Sequence, residues 1–277
     1  MKAFTPVRKY RAVSLTGAWC ALKCSHCGGR YLRGMTPVTP ETIVGVIEEL
    51  WSQGVRGLLV SGGFREDGTL PIEPYLKGLR VVKERFNPFI SAHLGLINDK
   101  RLLSDLAAVV DLVDFELVLN DEFTRRVRGL SVPREKYVEA LTAMREAGLD
   151  VAPHVYIWHP WITRDEVAES LQTLAENNIN RAVLLVYIPP EPGGSVPLDE
   201  VVENIEYARS TYPGELYMGC MRPWSIKKRL DEILVEKRLV DRIANPHPGA
   251  IGKASSVERY DACCSIPDSR LGEFKIP

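Results

Sequence analysis

The chain has 277 residues, 45% hydrophobic and 26% charged, an ordinary composition for a soluble globular protein and long enough for one large α/β domain with a substantial core. Lys and Arg total 35 against 36 Asp and Glu, so bulk electrostatics point neither to nucleic acid nor to an anionic membrane. No apolar run reaches the roughly 20 residues of a membrane span, and the N-terminus MKAFTPVRKYRAV lacks the apolar core of a signal peptide, so a cytoplasmic protein with no nucleic-acid or membrane partner is expected.

Ala12 to Thr16 is a β-branched and apolar run that reads as a first strand. It leads into GAWCALKCSHCGG, which places Cys20, Cys24 and Cys27 at C-x3-C-x2-C spacing. Thr39-Pro40-Glu41 has the composition of a helix start, and Ile43, Ile47, Leu50 and Trp51 continue it at helical spacing to Gly54. A second strand over Arg56 to Val60 ends in Ser61-Gly62-Gly63, followed by a helix from Pro74 to Arg85 and a strand from Phe89 to Ile97. Asp99 caps a helix to Val109, and Leu112 to Leu119 is a fourth strand. Pro133 opens a helix to Ala147, Val151 to Trp158 is strand five, and Thr163 with Glu166 forms a capping box for a helix through Glu176. Arg181 to Ile188 is a sixth, near-continuous apolar strand, Pro197 to Ser210 a helix, and Glu215 to Cys220 a seventh strand. No linker, repeat or low-complexity segment divides the chain.

Strand and helix alternate about six times, which predicts parallel strands with helices packed outside them. On this pattern alone an open doubly wound sheet and a barrel are both allowed.

Six cysteines are too few and too unevenly placed for a disulfide framework, and in a reducing compartment they read first as metal ligands. Thiolates are soft ligands, and three on one short loop suit an iron–sulfur or zinc centre. Structural zinc takes four protein ligands, and no fourth lies nearby, so the loop suits a four-iron cluster with one iron lacking a protein ligand. Asp114, Glu116 and Asn120 share one face of strand four by their even spacing. A buried unpaired charge on such a strand is costly, so an inward acid suggests a ligand, while an edge strand facing water would look the same. His154 and His159 belong to strand five and its end; lone histidines are more often satisfied core groups than ligands.

The loop with Cys20, Cys24 and Cys27 after a first strand resembles the signature of the radical S-adenosylmethionine (SAM) superfamily. The resemblance covers Ala12 to Pro190 and implies a partial (β/α)6 barrel, curved but not closed, with its active site at the C-terminal ends of the strands. It implies that the three cysteines bind three irons of a 4Fe-4S cluster while SAM chelates the fourth. Reductive cleavage of SAM then gives methionine and a 5′-deoxyadenosyl radical that abstracts a substrate hydrogen. It further implies SAM contacts at His26, beside adenine, and at Ser61, Gly62 and Gly63, in the glycine turn after strand two. Phe64 replaces the glutamate usual in that turn. Asn120, Glu116 and His154 are implied as further SAM contacts, and Tyr187-Ile188-Pro189-Pro190 resembles a segment flanking the SAM carboxylate.

The later cysteines, Cys220 in GCMRP and Cys263 and Cys264 in DACCSIP, resemble more narrowly the biotin-synthase-like branch and its archaeal-type two-protein lipoyl synthases. Residues 1–212 would then form the barrel, and residues 213–277 an extension on the same domain that covers the barrel mouth. Cys220, Cys263 and Cys264 would hold an auxiliary 4Fe-4S cluster, with Arg222 and Ser265 as candidate further ligands; small buried thiols are the plain alternative. This narrower resemblance implies sulfur insertion into a protein-bound octanoyl chain, with three partners: an octanoylated lipoyl-carrier domain, a second radical SAM lipoyl synthase protein and a low-potential electron donor. Another biotin-synthase-like reaction on a small molecule is the alternative enzyme reading. A non-catalytic iron–sulfur electron carrier is disfavoured by the SAM-type turns and the length of the chain.

Overall fold

A computed structural model describes residues 1–190 and 195–276. Its strands are β1 (Lys2–Phe4), β2 (Tyr10–Ser14), β3 (Thr36–Pro37), β4 (Gly57–Ser61), β5 (Phe89–Ala92), β6 (Leu112–Leu117), β7 (Val151–Trp158), β8 (Arg181–Val186), β9 (Glu215–Met218), β10 (Arg242–Ala244), β11 (Glu258–Tyr260) and β12 (Lys275–Ile276). Helices α1 (Ile43–Ser52), α2 (Leu76–Phe86), α3 (Lys100–Ala107), α4 (Asp121–Val127), α5 (Glu135–Glu146), α6 (Arg164–Glu176), α7 (Leu198–Thr211), α8 (Trp224–Glu236) and α9 (Pro248–Lys253) connect them. The strands form one sheet in the order β12-β11-β1-β10-β9-β8-β7-β6-β5-β4-β2-β3. Every pairing is parallel except that of β11 with β12. The sheet is mixed with helices in sequence and does not close, which is the architecture of a partial barrel.

Curvature is visible in a hydrogen-bonded chain that skips a strand. The Tyr10 hydroxyl on β2 lies 2.7 Å from Ser91 Oγ on β5, across the intervening β4, and Ser91 donates to Asp114 Oδ2 on β6 at 2.7 Å. Gly57 on β4 makes room: a Cβ there would lie 2.4 Å from the Tyr10 ring. Tyr10, Ser91 and Asp114 therefore line the concave face. By strand alternation Glu116 shares that face, and His154 is its register partner on β7.

The seven expected strands are present: β2 lies two residues earlier than expected, β4 one residue later, β7 has the expected bounds, and the others end earlier. The strand from Phe89 stops at Ala92, after which the chain turns off to an isolated bridge between Gly95 and Thr69. β1, β3, α4, α8, β10, α9, β11 and β12 were not expected. β1 is only three residues long, too short for an alternation pattern. α4 begins at Asn120, whose side chain accepts from Phe123 N at 2.6 Å as an N-cap.

The C-terminal part of the chain extends the same sheet. β1 lies between β10 and β11, so the two ends of the chain are interleaved. Beyond β11, Asp261 accepts the backbone N–H groups of Val7, Arg8 and Lys9 at 2.6, 2.9 and 3.0 Å, and Phe274 packs edge-on to Tyr10. This carboxylate fixes the segment carrying Cys263 and Cys264 against the start of β2. Hydrogen bonds to a charged acceptor contribute about 1.5–3 kcal/mol each at most, less where the donors can turn to water. Asp261→Ala should therefore lower stability by about 2–3 kcal/mol, read as a lower urea midpoint with an unchanged slope.

Candidate active site

The cysteine loop leaves β2 at Ser14 and is laced to the turn after β4. Leu15 N–H donates to Ser61 O at 2.8 Å, Gly63 N–H to Thr16 Oγ1 at 2.6 Å, and Ala21 N–H to Phe64 O at 2.9 Å. Phe64 N–H also points at Cys20 Sγ, 3.4 Å away. A Cβ on Gly63 would sit 1.8 Å from Trp19 O, so only glycine permits this approach. At its other end the loop turns on Cys24 O, which accepts from Cys27 N and Gly28 N at 3.0 and 2.8 Å. It is tied to the end of α4 by Ser25 N–H to Val127 O at 2.9 Å and by Cys24 Sγ to Arg128 O at 3.6 Å.

Cys20, Cys24 and Cys27 are all free and half-buried. Burial pushes the Cys24 thiol up; the Arg128 charge opposes this, and the neighbouring Cys20 and Cys27 thiols add to it. Among the described residues no group of three His, Cys, Asp or Glu side chains is drawn together closely enough to hold a metal ion. The fit to a cluster rests instead on the donor set: three free thiols on one loop, a backbone donor aimed at one sulfur, and a buried arginine beside another.

Around the loop, His26 faces Tyr187 with ring centroids 5.9 Å apart, and its buried Nδ1 has no partner. Burial, with the Arg128 and Arg30 charges, pushes its pKa down to about 4. Ser61 Oγ lies 3.1 Å from His93 Nδ1, so its hydroxyl is engaged within the protein. Gly62 packs beneath Thr16 and Leu15, and the Gly62-Gly63 turn supports the cysteine loop. Asn120 spends its amide on structure: Oδ1 caps α4, and Nδ2 donates to Trp161 O and Glu166 Oε1 at 2.9 and 2.6 Å. Glu116 forms an ion pair with Arg128, while Glu116 Oε1 and Arg128 Nε are buried without partners. His154 Nδ1 lies 3.0 Å from Ala152 O, and burial lowers its pKa.

Sequence reasoning missed Arg128, His93, Tyr10 and Ser91. Arg128 stands in RRVRG, where nothing distinguishes it from its exposed neighbours Arg125 and Arg126 until α4 turns it inward. His93 lies two residues beyond Ser91, just past the strand end, and burial lowers its pKa despite the Asp114 charge.

Cys220, Cys263 and Cys264 lie within electrostatic reach of one another and of Asp114, but among the described residues they are not drawn together closely enough to hold a metal ion. Charges on Cys263 and Asp114 act on Cys220, those on Cys263 and Asp114 act on Tyr10, and that on Cys220 acts on Cys264. Cys220 retains accessible surface, yet burial among protein atoms pushes its thiol up. Half-buried His93 and His154 are desolvated in the same way. Cys263 is held below its usual range, first by the Cys264 thiol and then by the Ser265 hydroxyl, which donates to its sulfur at 3.1 Å. Cys264 is pushed well up. Asp114 Oδ1 is buried and unpartnered among these groups.

Arg222 is committed to the protein. It binds Asp231 at 2.7 and 2.9 Å with two nitrogens, Gly219 O at 2.5 Å and Ala244 O at 2.8 Å. Lys227 Nζ and His247 N–H also reach Asp231, at 3.2 and 2.8 Å. The guanidinium thus fixes the backbone immediately before Cys220.

The Radical SAM superfamily model matches residues 14–174, more than half of the chain, and the chain belongs to this superfamily. Comparison with curated proteins gave no match. Among solved structures, SuiB of Streptococcus suis aligns with a TM-score of 0.57 at 13% identity, over 88% of this chain and 51% of that one. The FeFe-hydrogenase maturase HydG of Carboxydothermus hydrogenoformans aligns at 0.60 and 14% identity, over 88% and 58%. Methylornithine synthase (PylB) aligns at 0.56 and 13%, over 85% and 71%. The chain spans about half the length of SuiB, and at these identities the likeness is one of fold.

Membership implies a 4Fe-4S cluster and SAM, which together supply a carbon-centred radical able to take hydrogen from an unactivated C–H bond. Two outcomes check the supports of the site. Gly63→Ala should retain the fold by circular dichroism and lose most of the iron that the wild-type chain takes up on anaerobic reconstitution. Arg222→Ala leaves the buried Asp231 with only Lys227 and the His247 N–H as partners, and should cost about 3–5 kcal/mol in denaturant unfolding.

Proposed function

We propose that this enzyme inserts sulfur into an unactivated C–H bond of an octanoyl chain carried on a lysine of a lipoyl-carrier domain, with a second radical SAM lipoyl synthase protein inserting the other sulfur. What supports this reading is the resemblance carried by Cys220 in GCMRP and by Cys263 and Cys264 in DACCSIP, together with the electrostatic reach of Cys220 and Cys263 to Asp114 on the concave face. Two sulfur-rich centres on one lumen suit a radical formed at one and a sulfur donor held at the other. Cys220, Cys263 and Cys264 would hold the auxiliary cluster, whose sulfide is consumed in the reaction. In this reading Arg128 Nε, buried and without a partner, is the free donor for an anionic group bound beside the cysteine loop, and Glu116 holds the guanidinium in place. The Asn120 amide is fully used as a cap, so Glu116 and His154 are the better candidates for SAM contact. A low-potential electron donor completes the set of partners, and the cytoplasm is the compartment that suits free thiols.

One observation favours a second reading, a biotin-synthase-like reaction on a small polar molecule. The lumen face carries Asp114, His93 and His154, groups that an octanoyl chain alone does not satisfy.

Mass spectrometry of an octanoyl-lysine peptide, after turnover with SAM, reductant and both partner proteins, should show added sulfur. An unchanged peptide alongside 5′-deoxyadenosine formation would reject octanoyl as substrate and leave the second reading. Cys220→Ala should halve the iron bound after reconstitution, from two clusters to one; undiminished iron would exclude Cys220 as a ligand.

A further inference from the structure

Three of the five tryptophans lie in segments that follow the C-terminal ends of parallel strands and are exposed: Trp19 by 54%, Trp161 by 40% and Trp224 by 78%. Trp19 belongs to a continuous patch. The 3-10 helix Arg30–Gly34 follows the cysteine loop and presents Tyr31, 50% exposed, with the Arg30 guanidinium 4.9 Å from its ring centre. The cysteine loop touches the end of α4 through Ser25 and Cys24, so the loop, the 3-10 helix that continues it and α4 adjoin on one rim. On that rim Arg126 lies 5.3 Å from the Trp161 ring centre, and Asn120 ties Trp161 to the start of α4.

The patch is basic. The first forty residues hold seven Lys and Arg and no Asp or Glu. Lys23, Arg30 and Arg33 are exposed and have no ion-pair partner among the described residues. On α4, Arg125 and Arg126 share a single partner, Glu122, and the other acid, Asp121, is occupied by Arg134 N–H. Five bases thus face two acids around exposed aromatic rings, in a chain whose net charge is −1. Exposed aromatics interleaved with arginine are the composition of an interface centre.

We infer that this rim is the docking surface for an acidic, folded protein domain that presents its substrate on an extended side arm into the barrel mouth; the inference rests on the carrier-bound substrate proposed above. Complementary charge would steer the encounter, and the rings Trp19, Tyr31 and Trp161 would supply the apolar contact. Stacking rings beside cations also suit single-stranded RNA, but the chain as a whole lacks the basic excess of nucleic-acid binders.

The test uses the full chain and, as probe, an octanoylated lipoyl-carrier domain of net negative charge, with fluorescence anisotropy as the readout. Wild-type binding should weaken about tenfold between low and physiological-plus salt. A triple variant, Tyr31→Ala with Arg33→Glu and Arg125→Glu, should bind at least about tenfold more weakly at low salt. Its 5′-deoxyadenosine formation from SAM and reductant should match that of the wild type. No binding of the domain by the wild-type chain, equal binding by the variant, or tighter binding of a 30-nucleotide RNA than of the domain would each overturn the inference. The two proposals fail separately. A domain that docks at the rim and gains no sulfur rejects the reaction and keeps the surface, whereas undiminished docking and sulfur transfer by the variant reject the surface and keep the reaction.

Discussion

All but one of the strand pairings in this sheet are parallel, and that single constraint arranges the molecule. Parallel neighbours require crossovers, and the crossovers that follow each strand emerge at the same end. The cysteine loop after β2, the Gly62-Gly63 turn after β4, His93 after β5, α4 after β6 and Cys220 after β9 therefore lie at the same end of the sheet although they are spread over two hundred residues. Curvature does the rest. Where Gly57 lets the Tyr10 ring reach over β4, the sheet bends tightly enough for β2, β5 and β6 to share hydrogen bonds on their concave side.

Inside this curve the charge is arranged in two levels. Asp114 and Glu116 are two residues apart on β6, hence about 7 Å along the strand and on one face. Glu116 pairs with Arg128, which lies beside Cys24 at the cysteine loop, and Asp114 accepts from Ser91 and lies within electrostatic reach of Tyr10 and the late thiols. One strand thus runs between the side of Arg128 and the side of the late cysteines. The chain ends support the lower level. β1 is inserted between two C-terminal strands, and Asp261 holds the residues just after β1, so Cys263 and Cys264 are built into the fold as firmly as the strands beside them.

The seven longer strands and most helices were legible because their signals are local: apolar runs of strand length, capping residues, and a capping box that forms as read at Thr163 and Glu166. The spacing of the three cysteines pointed to the superfamily that residues 14–174 match. Asn120 shows where local reading stops. Its even spacing from Glu116 suggested a ligand, but a residue that caps a seven-residue helix spends the same amide on the backbone. Arg128 failed in the opposite direction. Its sequence neighbourhood is a run of surface arginines, and only the turn at the end of α4 buries it beside Cys24. Long-range contacts of this kind carry no periodic signal.

Burial also decides which groups near the loop carry charge. With its pKa pushed down to about 4, His26 is neutral near pH 7 and cannot balance thiolate charge. His93 and His154 are shifted the same way by the same cause. The cation that remains buried at this end of the lumen is Arg128, which stays protonated at any accessible pH. Three thiols that bind a metal centre shed their protons and bring negative charge as thiolates, and that charge is stabilised most by the nearest desolvated cation. Glu116 takes up one side of Arg128 and leaves Nε free. The guanidinium is thus oriented by a carboxylate on one side while its field acts on the cysteine loop on the other. This gives the loop a fixed counter-charge without a fourth protein ligand, consistent with a centre that keeps one position open for the molecule it activates.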